Sequence, residues 1–164
     1  MTVFVGGAGE LFQGDLDLGR RAAERLAAER LGENGSDVVV EELHYGAVAV
    51  AQRLAELEPS VFVLVGAIAR GREPGAVVRR DVTPPVREPA EVQRLVQQAV
   101  TGYVDVDLII DVAAAFGALP ERTVCIEVEP ATTEPSERLS DVAERALAEV
   151  VTLVRAEVAA PIEM

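Results

Sequence analysis

The stretch TVFVGGAGELFQGDLDLGRR, residues 2–21, decides the fold of this chain. Its apolar run at residues 3–5 predicts a strand, the glycines at 6–9 predict a sharp turn, and the pattern from about Asp15 predicts an amphipathic helix. Glycine lets the backbone pass where a side chain would clash, and a helix start presents unpaired N–H groups. We therefore expect an α/β domain with a site above the end of its first strand.

Length and composition indicate one globular domain. The chain has 164 residues, of which 49% are hydrophobic, enough to bury a core. We expect a single domain at residues 1–158 and a short tail at residues 159–164. The apolar runs are of strand length, so no membrane insertion is expected. The first residues do not resemble a signal peptide, and the single cysteine, Cys125, also favours a cytoplasmic location.

The charge of the chain argues against nucleic acid as a partner. The formal net charge is −13, so a phosphate backbone would be repelled over most of the surface.

The remaining pattern alternates strands with helices. Further strands are predicted at residues 38–43, 61–65, 76–78 and 124–126, with helices from about Asp15 to Leu31, at residues 48–57, from Pro89, after Gly102, and from about Ser140 to Val158. Alternation of this kind predicts a three-layer α/β/α domain with a mostly parallel five-stranded sheet. The short strand at 76–78, between loops rich in glycine and proline, is expected at an antiparallel edge.

Ligands of such sheets bind beyond the carboxyl ends of the strands. That rule points to the loops at residues 6–17, 44–47 and 66–75, and to the segment around Tyr103.

A dinucleotide site is one alternative. The fingerprint G-x-G-x-x-G begins with Gly7 and Gly9, but Phe12 stands where the third glycine belongs. Glu41 or Glu42 would have to serve as the acidic partner of the ribose. The signal for this site is weak.

A second interpretation comes from a resemblance carried by several motifs. Gly7, Gly9, Asp15 and Gly19 match the pattern G-x-G-N-x-x-x-x-D-[DE]-x-x-G, and the third strand is followed by a loop that closes in Pro74-Gly75 and by an edge strand. Near the end, Leu119-Pro120 precedes a strand that finishes in Glu129-Pro130.

In these features the chain resembles the hydrogenase maturation endopeptidases over residues 2–154. The resemblance implies a phosphorylase/hydrolase-like fold. It also implies a hydrolase that removes the C-terminal tail of a [NiFe]-hydrogenase large subunit with the help of that subunit's nickel, so the expected partner is that subunit or a related precursor.

The positions that hold nickel in the resembled family are changed here. The family's two carboxylates and histidine fall at Leu16, Gly66 and Gly102 or Tyr103, and none of these side chains is such a donor. Nickel requires converging nitrogen or carboxylate ligands. We therefore expect no tightly bound cofactor, no metal site of the family's kind and no known catalytic residue.

A rebuilt metal site is an open alternative. Glu10, Asp17 and His44 could supply new donors, and nickel would then bind. The simpler interpretation makes Asp15 the N-cap of the first helix, with Asp17 answering its dipole, and makes His44 a partly buried, hydrogen-bonded side chain. In either case we expect Glu10, Asp15, Asp17, His44, Gly66 and Tyr103 to line the cleft.

The other acidic and reactive residues have ordinary explanations. Asp105, Asp107 and Asp111 are predicted to face solvent, and Cys125 to be a small core residue. A single histidine with no nucleophile beside it argues against serine or cysteine protease machinery. A hydrolase that pairs Asp15 with Asp17 is possible but has no further support.

Two functions stay open. The chain is either a divergent maturation endopeptidase or a catalytically inactive binding or assembly factor for a hydrogenase or a related protein.

Overall fold

A computed structural model describes residues 1–29, 31, 37–100 and 104–160. Five strands and five helices follow one another in these ranges. The strands are β1 (Thr2–Ala8), β2 (Asp37–Leu43), β3 (Val61–Ala67), β4 (Val77–Asp81) and β5 (Arg122–Val128). The helices are α1 (Leu18–Ala27), α2 (Ala47–Leu57), α3 (Pro89–Val100), α4 (Val106–Ala115) and α5 (Asp141–Ala159), and a 3-10 turn at Gly14–Asp17 precedes α1.

The five strands form one mixed sheet in the order β2-β1-β3-β5-β4. β1, β2, β3 and β5 are parallel, and β4 runs antiparallel to β5 at the edge. The sheet confirms the predicted three-layer fold and its antiparallel edge strand. The run at 61–65 lies in the middle strand and is buried throughout, as expected of a strand covered on both faces.

Alternate residues of the strands supply two cores, one on each face of the sheet. On the first face, Val3 and Val5 pack with apolar residues of α1 and α5. On the second face, Phe4 stacks on Phe62 at a centroid distance of 5.4 Å, among residues of α2 and α4. Cys125 is fully buried in this second core, and desolvation raises the pKa of its thiol to about 12, so the predicted core role is confirmed.

Two glycines allow α1 to lie directly on the sheet. A Cβ on Gly7 would stand 1.9 Å from the carbonyl oxygen of Gly19, and a Cβ on Gly19 would stand 2.3 Å and 2.4 Å from the carbonyl oxygens of Ala8 and Val65. These neighbours are backbone atoms of the helix and the sheet and cannot rotate away. The glycines of the opening motif therefore set the distance between the helix and the sheet.

The start of the first helix differs from the prediction. The predicted helix begins near Asp15, whereas the chain makes the 3-10 turn first and α1 begins only at Leu18. Asp15 is not an N-cap. Its carboxylate accepts hydrogen bonds from the backbone N–H groups of Ala131 and Ser140, at 2.9 and 2.7 Å, and from the Ser140 hydroxyl. The side chain joins the 3-10 turn to the loop that leads into α5.

Several predicted features lie outside the described residues. They are the turn after the first helix at residues 32–36, the segment at residues 101–103 with Gly102 and Tyr103, and residues 161–164 of the expected tail.

In the described ranges, no helix combines the length and the apolar character that crossing a membrane requires.

Gly19→Ala is expected to destabilise the protein strongly, because the new methyl group would collide with two strand carbonyls. Overpacking against atoms that can move costs about 1–3 kcal/mol, and here we expect a loss at or above the upper end of that range. Urea unfolding of both proteins measures it. Arg25→Ala, on the exposed face of α1, is the control and should change the free energy of unfolding by less than about 0.5 kcal/mol. A Gly19→Ala protein as stable as the control would show that α1 can move away from the sheet.

Candidate functional site

A cleft of about 210 Å³ lies beyond the carboxyl ends of β1 and β3, where the topology predicts a site. We call it the main cleft. Most of its lining is apolar or backbone, and Glu10 and Asp105 are its two carboxylates. It is lined by Ala8, Gly9, Glu10, Gln13, Leu16, Ala67, Ile68, Ala69, Val104, Asp105, Val106 and Thr133.

The end of β3 is closed over by an apolar side chain. A Cβ on Gly66 would stand 2.4 Å from Cγ2 of Val106 and 3.6 Å from Cβ of Ala8. Val106 is itself 2% exposed and begins α4. A carboxylate side chain at position 66 would need the space that Val106 occupies. Gly66 is therefore a packing position beneath the main cleft and is not part of its lining.

Leu16 is a second position that lacks the carboxylate of the resembled family. Its half-buried side chain lines the main cleft from the 3-10 turn, at the position where the resembled pattern has a carboxylate. Leucine adds an apolar wall and no donor. Of the positions that the resemblance assigns to metal, Leu16 and Gly66 thus carry no ligand atom, and the third lies outside the described residues.

His44 lies in a second depression, which we call the side cleft. Its lining is Glu10, Leu11, Arg20, Glu42 and His44, and its volume is about 310 Å³. His44 is exposed, with Nδ1 3.3 Å from the carbonyl oxygen of Glu42 and its ring in edge contact with Tyr45. The expectation of a partly buried histidine is therefore wrong. The hydrogen bond to the backbone agrees with the prediction.

Asp17 is committed to an ion-pair network. It is 2% exposed, and its oxygens accept hydrogen bonds from Nε and Nη2 of Arg20 at 2.7 and 2.6 Å, and from Arg21 at 3.3 Å. Arg20 also binds Glu42 at 2.7 Å. The hydrogen bonds that Arg20 donates to Asp17 and to Glu42 outweigh burial and raise the pKa of its guanidinium. Asp17 occupies the N-cap position of α1 but makes no side-chain capping bond there.

Some of the predicted cleft residues line a cleft, and others are buried away from both clefts. Glu10 lines both clefts and His44 lines the side cleft, whereas Asp15 and Asp17 are buried and bonded elsewhere. Tyr103 lies outside the described residues. Within the described ranges, the histidine, cysteine, aspartate and glutamate side chains form no group of three that could hold a metal ion, so Glu10, Asp17 and His44 are not gathered for that purpose.

The three aspartates around α4 are partly exposed, and each of them also has a hydrogen-bond partner. Asp105 is the N-cap of α4 and accepts from the N–H groups of Asp107 and Leu108 at 2.7 and 3.2 Å. Asp107 binds Arg70 at 2.7 Å, and Asp111 binds Arg87 at 3.2 Å.

Sequence analysis missed a buried charged cluster beside the main cleft. Glu127 of β5 is fully buried, and its carboxylate binds Arg70, Arg72 and Arg80. Burial acts to raise the pKa of the Glu127 carboxyl, but the hydrogen bonds from Arg70 and Arg72 prevail and bring the pKa to about 2. A glutamate inside the apolar strand at 122–128 was the available signal, because a buried carboxylate in a strand requires partners.

The acidic residues that a dinucleotide site would need are already bound by arginines. Glu41 binds Arg53 at 2.9 Å, and Glu42 binds Arg20. Neither carboxylate is free to receive a ribose without losing its arginine.

Comparison with solved structures shows what this arrangement is similar to. A hydrogenase 2 maturation peptidase from a Thaumarchaeota archaeon superimposes with a TM-score of 0.65 at 20% identity, covering 97% of this chain and 99% of that one. The endopeptidase HycI from Escherichia coli gives 0.66 at 17% identity, with 95% and 90% covered.

The hydrogenase maturating endopeptidase HybD from Escherichia coli gives a TM-score of 0.61 at 17% identity, with 96% and 94% covered. No protein-family model matches the sequence, and no curated protein is similar enough to match it. At identities this low, the structural likeness establishes a common fold alone.

Gly66→Ala and Val106→Ala are expected to be coupled. Gly66→Ala alone should lower the free energy of unfolding by about 1–3 kcal/mol because its methyl group collides with Val106. Adding Val106→Ala makes room, so the double variant should be more stable than the sum of the two losses predicts by about 1 kcal/mol. Val112→Ala, at a buried position about 9 Å further along α4, is the control partner and should be additive with Gly66→Ala. Additivity in both pairs, measured by urea unfolding, would contradict the contact.

The free energy of unfolding is expected to fall as the pH is lowered from about 5 towards 2. The pKa of Glu127 is about 2 in the folded chain against an ordinary value of 4.5, so its contribution is present above the unfolded pKa and is lost on acidification. That contribution amounts to about 3 kcal/mol at neutral pH.

Urea unfolding across this pH range tests the effect. Glu127→Gln should be less stable at neutral pH and should have a flatter pH profile. The exposed Glu121→Gln should keep the original slope. Equal slopes in all three proteins would show that Glu127 does not cause the dependence.

Proposed function

Because the chain has the fold of the hydrogenase maturation proteases, we propose that it is a divergent member of that structural class that binds a protein segment in its main cleft. The segment belongs to a hydrogenase large-subunit precursor or to a related protein. The chain acts as a binding or assembly factor and does not cleave by the nickel-dependent route that the resemblance implies.

One observation carries the choice between binding and cleavage. Val106 fills the space that a side chain on Gly66 would need, so a carboxylate at position 66 would not fit this packing. Leu16 lines the cleft at the other described position where the resembled family has a nickel ligand, and its side chain is apolar. A nickel ion carried by the partner would find neither of these donors.

The composition of the cleft suits a polypeptide. Apolar side chains contribute much of its lining, and Glu10, Gln13, Asp105 and Thr133 supply polar groups. Sites with this composition hold apolar side chains and use a few polar groups for orientation. The volume of about 210 Å³ is sufficient for one or two side chains of a bound segment.

A C-terminal processing endopeptidase is the second candidate. It is favoured by the extent of the structural likeness, which spans nearly the whole of both chains in the archaeal peptidase comparison. Glu10 would then be the acidic group nearest the chemistry, with His44 in the adjoining cleft. This candidate requires that both residues support cleavage of a nickel-loaded precursor.

The decisive experiment incubates the protein with a nickel-loaded large-subunit precursor and measures the precursor's mass and the formation of a complex. We expect a complex and no shortened product, together with no tight nickel binding in a calorimetric titration of the protein alone. Cleavage that is abolished by Glu10→Ala or His44→Ala would establish the endopeptidase instead.

A charge in the cleft should weaken the complex. Leu16→Glu places a carboxylate on the apolar wall and is expected to reduce affinity about tenfold or more, because one buried charge costs more than 1.4 kcal/mol. Val86→Glu introduces the same charge at a position that is 98% exposed and away from the lining, and should leave affinity unchanged. Equal affinities of the two variants would show that the main cleft is not the binding site.

A further inference from the structure

Three arginines contact the single carboxylate of Glu127. Oε1 of Glu127 accepts from Nε of Arg70 at 2.7 Å and from Nη1 of Arg72 at 2.5 Å. Oε2 accepts from Nη2 of Arg70 at 3.1 Å and from Nε of Arg80 at 3.3 Å. A single bidentate arginine would neutralise one carboxylate. Three arginines converge on this one, in a chain with a formal net charge of −13.

Two of these arginines keep donors that no described residue uses. Nε and Nη2 of Arg72 and the Nη groups of Arg80 make no hydrogen bond within the described ranges, although Nη2 of Arg80 is 3.6 Å from Asp107. Both side chains are about one third exposed, at 35% and 34%. Glu127 is fully buried, so the surface of the cluster consists of guanidinium groups and the half-exposed carboxylate of Asp107.

The other carboxylates near the cluster are already bonded. Asp107 binds Arg70 at 2.7 Å. Glu129 is 6% exposed and accepts from the backbone N–H groups of Arg70 and Gly71. Arg80 thus shares Asp107 with Arg70 through an ion pair at 3.6 Å, whereas the free donors of Arg72 have no acceptor among the described residues.

The cluster adjoins the main cleft along the chain on two sides. Arg70 directly follows Ala69, and Asp107 directly follows Val106, and both preceding residues line the cleft. Gly66 of β3 pairs with Glu127 of β5 across the sheet. Glu127 thus stands one strand away from the position where the resembled family has a nickel-binding carboxylate, and the three arginines surround it.

We propose that Arg72 and Arg80 bind a carboxylate of the polypeptide segment that lies in the main cleft. The inference rests on the proposed function, since the segment is the one held by the cleft. Arginine is suited to this task because its planar fork matches the two oxygens of a carboxylate. The expected ligand therefore has an apolar side chain that enters the cleft and a carboxylate that the two arginines bind.

The test uses a pair of small probes that differ only in charge, N-acetyl-leucine and N-acetyl-leucinamide. Carbon-detected NMR follows two sets of signals, the methyl groups of Leu16 and Val106 in the cleft and the guanidinium groups of Arg72 and Arg80. We expect both sets to shift with the acid and only the methyl groups to shift with the amide. The amide should bind about tenfold more weakly, the factor that one charge-assisted hydrogen bond of about 1.4 kcal/mol supplies.

Variants assign the effect to the cluster. Arg72→Gln and Arg80→Gln should remove the difference between acid and amide, and Arg72→Lys should reduce it because the fork is lost while the charge is kept. Arg79→Gln is the matched control. Arg79 precedes Arg80 on β4 and pairs with Glu157 and Asp81, so its loss should leave the difference intact. Should a glutamine variant fail to fold, the signals of the unmodified protein decide the result.

A third probe distinguishes a chain end from an acidic side chain. N-acetyl-leucyl-glutamic acid α-amide carries its carboxylate on the side chain alone. Stronger binding of this probe than of N-acetyl-leucine would assign the site to an internal acidic residue, and weaker binding would assign it to a C-terminus. Either result supports recognition of a carboxylate.

The possible failures are distinct. Methyl shifts with both probes and no arginine shifts would overturn the carboxylate site and leave the proposed function standing. Arginine shifts without methyl shifts would overturn the proposed use of the cleft and the joint ligand inferred here. The absence of both would overturn both, and a difference between acid and amide that persists in Arg72→Gln and Arg80→Gln would overturn the assignment to these arginines.

Discussion

The contact of α1 with the sheet, backbone against backbone, is the constraint on which the rest of the structure depends. Gly7 and Gly19 leave no room for a methyl group between the helix and the strand carbonyls, so the helix has one position. That position fixes the 3-10 turn before it, and with the turn the wall of the main cleft that Leu16 forms. Glycines that resemble a ligand-binding motif therefore build the cleft by packing.

The sequence predicts the layers well because the spacing of apolar residues indicates which side chains are buried. The apolar run at 61–65 identifies the middle strand, and the short strand between glycine and proline loops identifies the antiparallel edge. The site is harder to predict, since its contacts join residues far apart in the chain. Asp15 has the position of a helix cap but binds Ser140, and His44 follows a strand but faces solvent. Nothing local to Glu127 reveals that arginines from a loop and an edge strand surround it.

Apolar and charged groups lie side by side at this edge of the sheet. Leu16 and Val106 contribute to the lining of the main cleft, and β5 carries the buried carboxylate of Glu127, which three arginines contact. Under the function that we propose, the cleft would hold an apolar side chain of the bound segment and the guanidinium groups would hold its carboxylate.

The bonds of Asp15 also have a consequence for folding. Its carboxylate joins positions that are separated by 116 and 125 residues, so the chain must close very long loops before these hydrogen bonds form. Proteins whose contacts join distant positions fold more slowly than those with local contacts. The 3-10 turn beside the cleft is therefore held by a segment near the other end of the chain, and it depends on the loop that precedes α5.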